Sequence, residues 1–185
     1  MRDDAAMKYV VLFRGINVGG RNKIPMAELR KHLSADFEEV STYIQSGNVI
    51  LESSLPATKV AERIDAGLGK AFTLDSDLVR VLVLDKEAYG EVIDQAPEGF
   101  GSDPDTYRYD VFFYMGVTAA QVEPHIVTHP EVDTVTVGKR ASYHRRIAAR
   151  ASSSRVNKIV SSLSYPGLTI RNWNTTTRLA ALLAE

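Results

Sequence analysis

Between its first apolar run and its first helix the chain reads Arg14-Gly15-Ile16-Asn17-Val18-Gly19-Gly20-Arg21-Asn22-Lys23. Glycines let backbone N–H groups approach a bound anion, a following helix N-terminus adds partial positive charge, and arginines give two-pronged contacts to phosphate. Those residue types point to anion binding, with Arg14, Asn17, Gly19, Gly20, Arg21 and Lys23 as candidate ligands. The spacing fits neither G-x-G-x-x-G nor G-x-x-x-x-G-K-[ST], so no nucleotide fingerprint is met and no cofactor is expected. A plainer reading stands beside it, a turn whose glycines take positive φ and whose arginines are solvated. Ser46-Gly47-Asn48 poses the same choice, a hydroxyl and an amide for a ligand or a hairpin satisfying its own geometry.

The second signal is charge. Residues 1–104 hold 12 Lys and Arg against 17 Asp and Glu, whereas residues 105–185 hold 10 against 6. From Thr134 to Ala184 there is no acid at all, and Arg145, Arg146, Arg150, Arg155, Lys158 and Arg171 become candidate phosphate contacts on a nucleic acid. The alternative is an acidic first half that neutralises the block. Arg171-Asn172-Trp173-Asn174 sets polar groups beside a stacking ring, as single-strand binders do, or else places Trp173 in the core with Asn174 as a helix cap. His125 and His129 have metal-compatible spacing, but Pro124 and Pro130 interrupt that helix and no third ligand is fixed nearby, so no metal is expected. His144, set among arginines, reads as a cationic contributor near pH 6. No G-x-S-x-G, H-E-x-x-H or paired-carboxylate spacing appears, so no catalytic residue is assigned.

The elements that must position these residues follow from periodicity. Residues 8–14 read as a buried strand, 25–35 as a helix opened by Pro25, and Val40 to Ile44 and Val49 to Leu51 as strands of a hairpin. A helix over 57–72 and a strand from Asp77 to Leu84 complete a β-α-β-β-α-β order, the ferredoxin-like unit, and another helix runs to about Gln95. The order then repeats. Strand Tyr109–Met115 is followed by a helix capped by Thr118 and containing Val122, Ile126 and Val127. Strands Val132–Val137 and Ser142–Ile147, a helix Ser152–Leu163, a strand Leu168–Trp173 and a last helix capped by Asn174 or Thr175 close the chain. The fold expected is α+β, two ferredoxin-like halves with antiparallel sheets, each half followed by a helix. In that topology the loop after strand one and the hairpin between strands two and three share one sheet end, so the Arg14 loop and the Ser46 turn should lie side by side.

Gly99, Gly101 and Pro104 mark the clearest boundary, giving an N-terminal half over 7–98, a C-terminal half over 105–185 and an extension over 1–6. With 185 residues, 44% hydrophobic and 24% charged, the composition is that of a globular chain rather than a disordered one. The chain has no cysteine, which excludes disulfides, thiolate zinc sites and a Cys nucleophile. No apolar run approaches the roughly 18 residues of a membrane span, and Met1-Arg2-Asp3-Asp4 does not open a signal peptide, so a cytoplasmic protein with no membrane partner is expected.

Val11-Leu12-Phe13-Arg14-Gly15-Ile16-Asn17-Val18-Gly19-Gly20, Lys23-Ile24-Pro25-Met26, Tyr43-Ile44-Gln45-Ser46-Gly47-Asn48-Val49 and Arg171-Asn172-Trp173-Asn174 with Thr175-Thr176-Thr177 resemble a bacterial domain-of-unknown-function family, number 1697. The resemblance runs from about Met7 to the C-terminus and implies an α+β fold of two ferredoxin-like parts. It implies no activity, because the family has none established. Members usually carry a glycine-containing turn followed by Arg-Ser-Lys-Leu in the penultimate helix region, where this chain has Ala148-Ala149-Arg150-Ala151-Ser152-Ser153-Ser154-Arg155-Val156-Asn157-Lys158. Three functions stay open. One is a binding module for a phosphorylated ligand or nucleic acid, using the Arg14–Lys23 loop and the basic second half. The others are an enzyme acting on a small metabolite at Arg14, Asn17, Ser46 and Asn48, and a structural or regulatory interaction protein.

Overall fold

The computed structural model describes residues 5–75, 79–161 and 167–185. Strand β1 (Met7–Arg14) is apolar nearly throughout because it is the inner strand of a sheet covered on both faces. It pairs antiparallel with β3 (Asn48–Ser53) on one side and β4 (Arg80–Asp85) on the other, and β2 (Glu38–Tyr43) adds outside β3, giving the order β2-β3-β1-β4. On one face Tyr9, Val11 and Phe13 meet Leu29 and Leu33 of α1 (Met26–Leu33) and Val60, Ile64 and Leu68 of α2 (Ala57–Ala71). The i, i+4 spacing of the three α2 residues lines one helix face, and each fully buried aliphatic side chain there stabilises by about 1.5–3 kcal/mol. Val10, Leu12, Ile50 and Leu84, pointing the other way, are buried as well. The β2–β3 register slips by one residue between Glu38 and Ser41, where Glu39 takes a left-handed φ of 47°.

The second sheet repeats the order as β6-β7-β5-β8, from β5 (Tyr107–Tyr114), β6 (Asp133–Val137), β7 (Ala141–Ile147) and β8 (Leu168–Asn172). The closure at the loop end repeats too: the Phe13 N–H donates to Gly47 O at 2.8 Å, and the Tyr114 N–H to Arg140 O at 2.9 Å. Both halves thus share the ferredoxin-like strand order and a βαββ arrangement, and each is followed by a helix, α3 (Lys86–Asp94) and α5 (Trp173–Ala184). By backbone proximity the chain divides into two compact units, one running to Tyr89 and taking in Leu179–Glu185, the other Gly90–Arg178.

Three elements differ from the expectation. Helix α4 spans only Ala119–Val122 and passes into a 3₁₀ turn at Glu123–His125, because Pro124 cannot continue the α-helical ladder; Ile126 and Val127 lie beyond it. In place of a helix over 152–163 there are two short 3₁₀ segments, Ala148–Ser153 and Val156–Ser161; Leu163 itself lies outside the described residues. Local hydrogen bonds replace the helical ones there: Ser154 Oγ accepts from Val156 N–H at 3.3 Å and Asp133 Oδ2 from Arg155 N–H at 2.8 Å. Finally, β8 stops at Asn172 and Trp173 opens α5. The cap is Asn172, whose Oδ1 accepts the Thr175 N–H at 2.8 Å, rather than Asn174 or Thr175.

Candidate functional site

The Arg14 loop and the Ser46 turn do lie together. Asn17, at φ 54°, donates from Nδ2 to Gln45 O across the turn and to Ile24 O, both at 3.0 Å, while its Oδ1 accepts the Ile24 N–H at 2.8 Å. Asn22 ties the same loop shut, donating to Gly15 O and accepting the Asp75 N–H, each at 2.8 Å. Asn48 is fully buried and donates to Tyr43 O at 3.0 Å and Ser46 Oγ at 2.9 Å. Gly47 is where only glycine fits: at φ 77°, a Cβ would stand 2.8 Å from Ile16 Cδ1 and Phe13 Cβ. The amides of Asn17 and Asn48 therefore hold the loop in shape. Gly19, Gly20, Arg21, Lys23 and Ser46 are exposed on the surface and Arg14 is half-buried.

The arginines of the second unit are largely engaged by that unit itself. Arg150 reaches Glu131 at 3.3 Å, and Lys139 and Arg140 converge on Glu91, whose carboxyl they hold below the ordinary glutamate range. Arg171 is buried and donates to Thr169 Oγ1 at 3.0 Å and Ile170 O at 2.8 Å, facing the protein rather than solvent. Arg155, between the two 3₁₀ segments, and Lys158, on the second, are exposed. His144 is a correction: it is 2% exposed, stacked on Phe112 at 3.8 Å, and burial pushes its pKa down to about 3, so it is neutral near pH 6. Ser142 Oγ lies 2.8 Å from His144 Nε2, with Asp133 on the adjoining strand, the composition of a hydrolase triad. Ser142 and His144 are both buried, however, and Asp133 Oδ2 is taken by the His129 and Arg155 N–H groups, so this trio serves the core. Among the described residues no group of three His, Cys, Asp or Glu could hold a metal ion.

What remains is a cavity of about 380 Å³ in the second unit, at the end of the sheet where β5 begins and β7 and β8 finish. That volume is within the range of small-molecule sites. Its lining residues include the aromatic Tyr107, Tyr109 and Trp173, the basic Arg108 and Arg146, and the polar Asp110, Asn172 and Asn174. Alternation along β5 sends Arg108 and Asp110 to one face and Tyr107 and Tyr109 to the other, and both sets reach the sheet end. Phe100 braces the rings edge-on, 4.9 Å from Tyr109 and 5.1 Å from Trp173. The edge of Trp173 rests on Gly101, where a Cβ would stand 2.1 Å from Trp173 Cδ1. Arg145 lies over Tyr107, 4.6 Å from the ring centroid. Arg146 pairs with Asp110 at 3.0 Å; burial nonetheless raises the Asp110 carboxyl above the ordinary aspartate range, against the pull of that guanidinium.

Of the residues expected to bind, Arg146 lines this cavity and Arg145 backs it, and Trp173, half-exposed, is a wall of it rather than core. Tyr107, Arg108, Tyr109 and Asp110 were not singled out by sequence. The available signal was an Asp placed in an inner strand of a sheet, where a half-buried charge is costly without a partner.

Fold and site together define a duplicated ferredoxin-like protein with a ring-and-guanidinium cavity in its second unit. The chain belongs to the DUF1697 family of proteins of unknown function, whose model matches residues 7–143. It is similar in structure to the conserved bacterial protein SP0830 from Streptococcus pneumoniae, with a TM-score of 0.80 and 26% sequence identity over 97% of this chain and 99% of that one. No curated protein matches the chain. Among the described residues no helix is long and apolar enough to cross a membrane.

Proposed function

We propose that the second unit binds a phosphorylated ligand carrying a planar ring, of the mononucleotide class, in the cavity between β5, β7, β8 and the start of α5. The observation that carries this reading is the convergence of Tyr107, Tyr109 and Trp173 with Arg108 and Arg146 on one cavity of about 380 Å³. Rings at such a site stack on a base, worth about 1–3 kcal/mol per base in single-strand binders. Guanidiniums give a phosphate paired, directional donors. Arg108 is exposed and its Nη1 is steadied by Pro104 O at 2.7 Å, so it is pre-positioned for an anion at the cavity mouth.

Trp173 is the single tryptophan of the chain, so its fluorescence, excited selectively, reports on this cavity directly. Titration with purine and pyrimidine mononucleotides is expected to quench it saturably, with weaker binding as salt rises and with most affinity lost in Arg108→Ala. If no mononucleotide alters Trp173 emission at millimolar concentration and low salt, the reading is wrong.

A further inference from the structure

We propose that the ring accepted here is one presenting the 2-amino-4-oxopyrimidine edge, that is a guanine nucleotide, read by Asp110 and Asn172. This rests on the reading above and narrows its ligand class. Asp110 is the acid among the residues lining the cavity, and Asn172 is its register partner on the neighbouring strand. The two side chains therefore share one face of the sheet, and Trp173, next along the chain from Asn172, lines the same cavity and is the ring available to stack.

The hydrogen-bonding pattern of the pair follows from their existing bonds. Asn172 Oδ1 is fixed as the acceptor of the Thr175 N–H at 2.8 Å, which makes its NH₂ the group left to meet a ligand, a donor. An ionised Asp110 is acceptor-only, and its pairing with Arg146 at 3.0 Å leaves the carboxylate further acceptor capacity. One donor beside a carboxylate is the complement of guanine, whose O6 accepts while N1–H and the 2-amino group donate. Adenine, turned over, can set its amino donor against the carboxylate and its N1 acceptor against the amide, but it offers the carboxylate one donor where guanine offers two adjacent ones. Uracil offers one N–H between two carbonyls, so one carbonyl would face Asp110. Hydrogen bonds to charged groups are the stronger class, and a mismatched edge forgoes one of them at the carboxylate.

The test is a Trp173 fluorescence titration of the full chain with GMP, IMP, AMP and UMP. GMP is expected to bind about 10- to 100-fold more tightly than AMP, the range that one added charge-assisted hydrogen bond supports, and IMP, which lacks the 2-amino donor, to bind about as AMP does. Asp110→Asn, checked for folding by circular dichroism, is expected to abolish the preference for GMP and gain affinity for XMP, whose 2-oxo group accepts from the new amide. The four-ligand series on the unaltered chain needs no variant and decides the matter if Asp110→Asn does not fold. Equal affinities for GMP and AMP would overturn the guanine assignment while leaving the mononucleotide reading intact, and silence towards every nucleotide would overturn both. Short 5′-phosphorylated RNAs opening with G or A distinguish the source: a G preference seen in the RNAs at lower concentration than in the free nucleotides places the recognised guanine at a strand end.

Discussion

Replacing Asn17 by Ala separates scaffold from site in the first unit. The substitution removes two donated bonds at 3.0 Å, to Ile24 O and Gln45 O, and one accepted bond at 2.8 Å from the Ile24 N–H. At a net value near 1 kcal/mol per bond, these amount to about 3 kcal/mol. Asn tolerates the left-handed φ of 54° better than Ala does, and holding Ala there adds about 1 kcal/mol. A total of about 3–4 kcal/mol lowers the melting temperature by roughly 6–16 °C in a chain of this size. Circular dichroism melts of the unaltered chain, Asn17→Ala and Val18→Ala would measure it. Val18 is 67% exposed and its side chain makes no bond to the loop, so its truncation is expected to cost under about 0.5 kcal/mol. An Asn17→Ala shift no larger than that of Val18→Ala would refute the assignment of Asn17 to the scaffold. It would return the residue to the list of candidate ligands.

Two further outcomes are expected. Gly101→Ala places a Cβ 2.1 Å from Trp173 Cδ1 at a φ of 87°, so the ring must move, and the emission maximum of the one tryptophan should shift together with a loss of stability; unchanged emission would mean that Gly101 does not seat Trp173. The second concerns acid. His144 titrates at about 3 in the folded chain, below its unfolded value of about 6.5, so over that window the unfolded state binds the extra proton and stability falls as pH drops. The loss begins near pH 6.5 and steepens towards about 1.4 kcal/mol per pH unit, and His144→Gln should flatten it in urea melts between pH 6.5 and 4, whereas an unchanged slope would show that His144 is not its source.

The sequence was legible wherever one physical signal dominated. The unbroken apolar run of β1, the i, i+4 spacing of Val60, Ile64 and Leu68, and Thr118 as a helix cap each mark one element, and in the structure Thr118 forms a reciprocal capping box with Gln121. Topology followed from element order, and with it the meeting of the Arg14 loop and the Ser46 turn. Legibility failed where local side chains compete with the backbone, as Ser154 and Asp133 do at the 3₁₀ segments. It failed also for the cavity, which is assembled from residues 101–110, 146 and 172–174 and so has no linear motif. Charge counting marked Arg146 correctly as interesting but said nothing of Asp110 across from it, and it ranked buried Arg171 beside exposed Arg155 because exposure is a property of the folded chain.

The slipped register of β2 bears on how the protein behaves among its own copies. An outer strand with regular pairing is a template onto which another chain can add. At β2 the extra residue and the left-handed turn at Glu39 bend that rim, and Glu38 and Glu39 place carboxylates along it. Strand β6, which holds the equivalent place in the second sheet, pairs in unbroken register from Asp133 to Val137 and exposes Thr134 and Thr136. The two hairpins are therefore unequally guarded against intermolecular strand addition, and β6 is the more open margin.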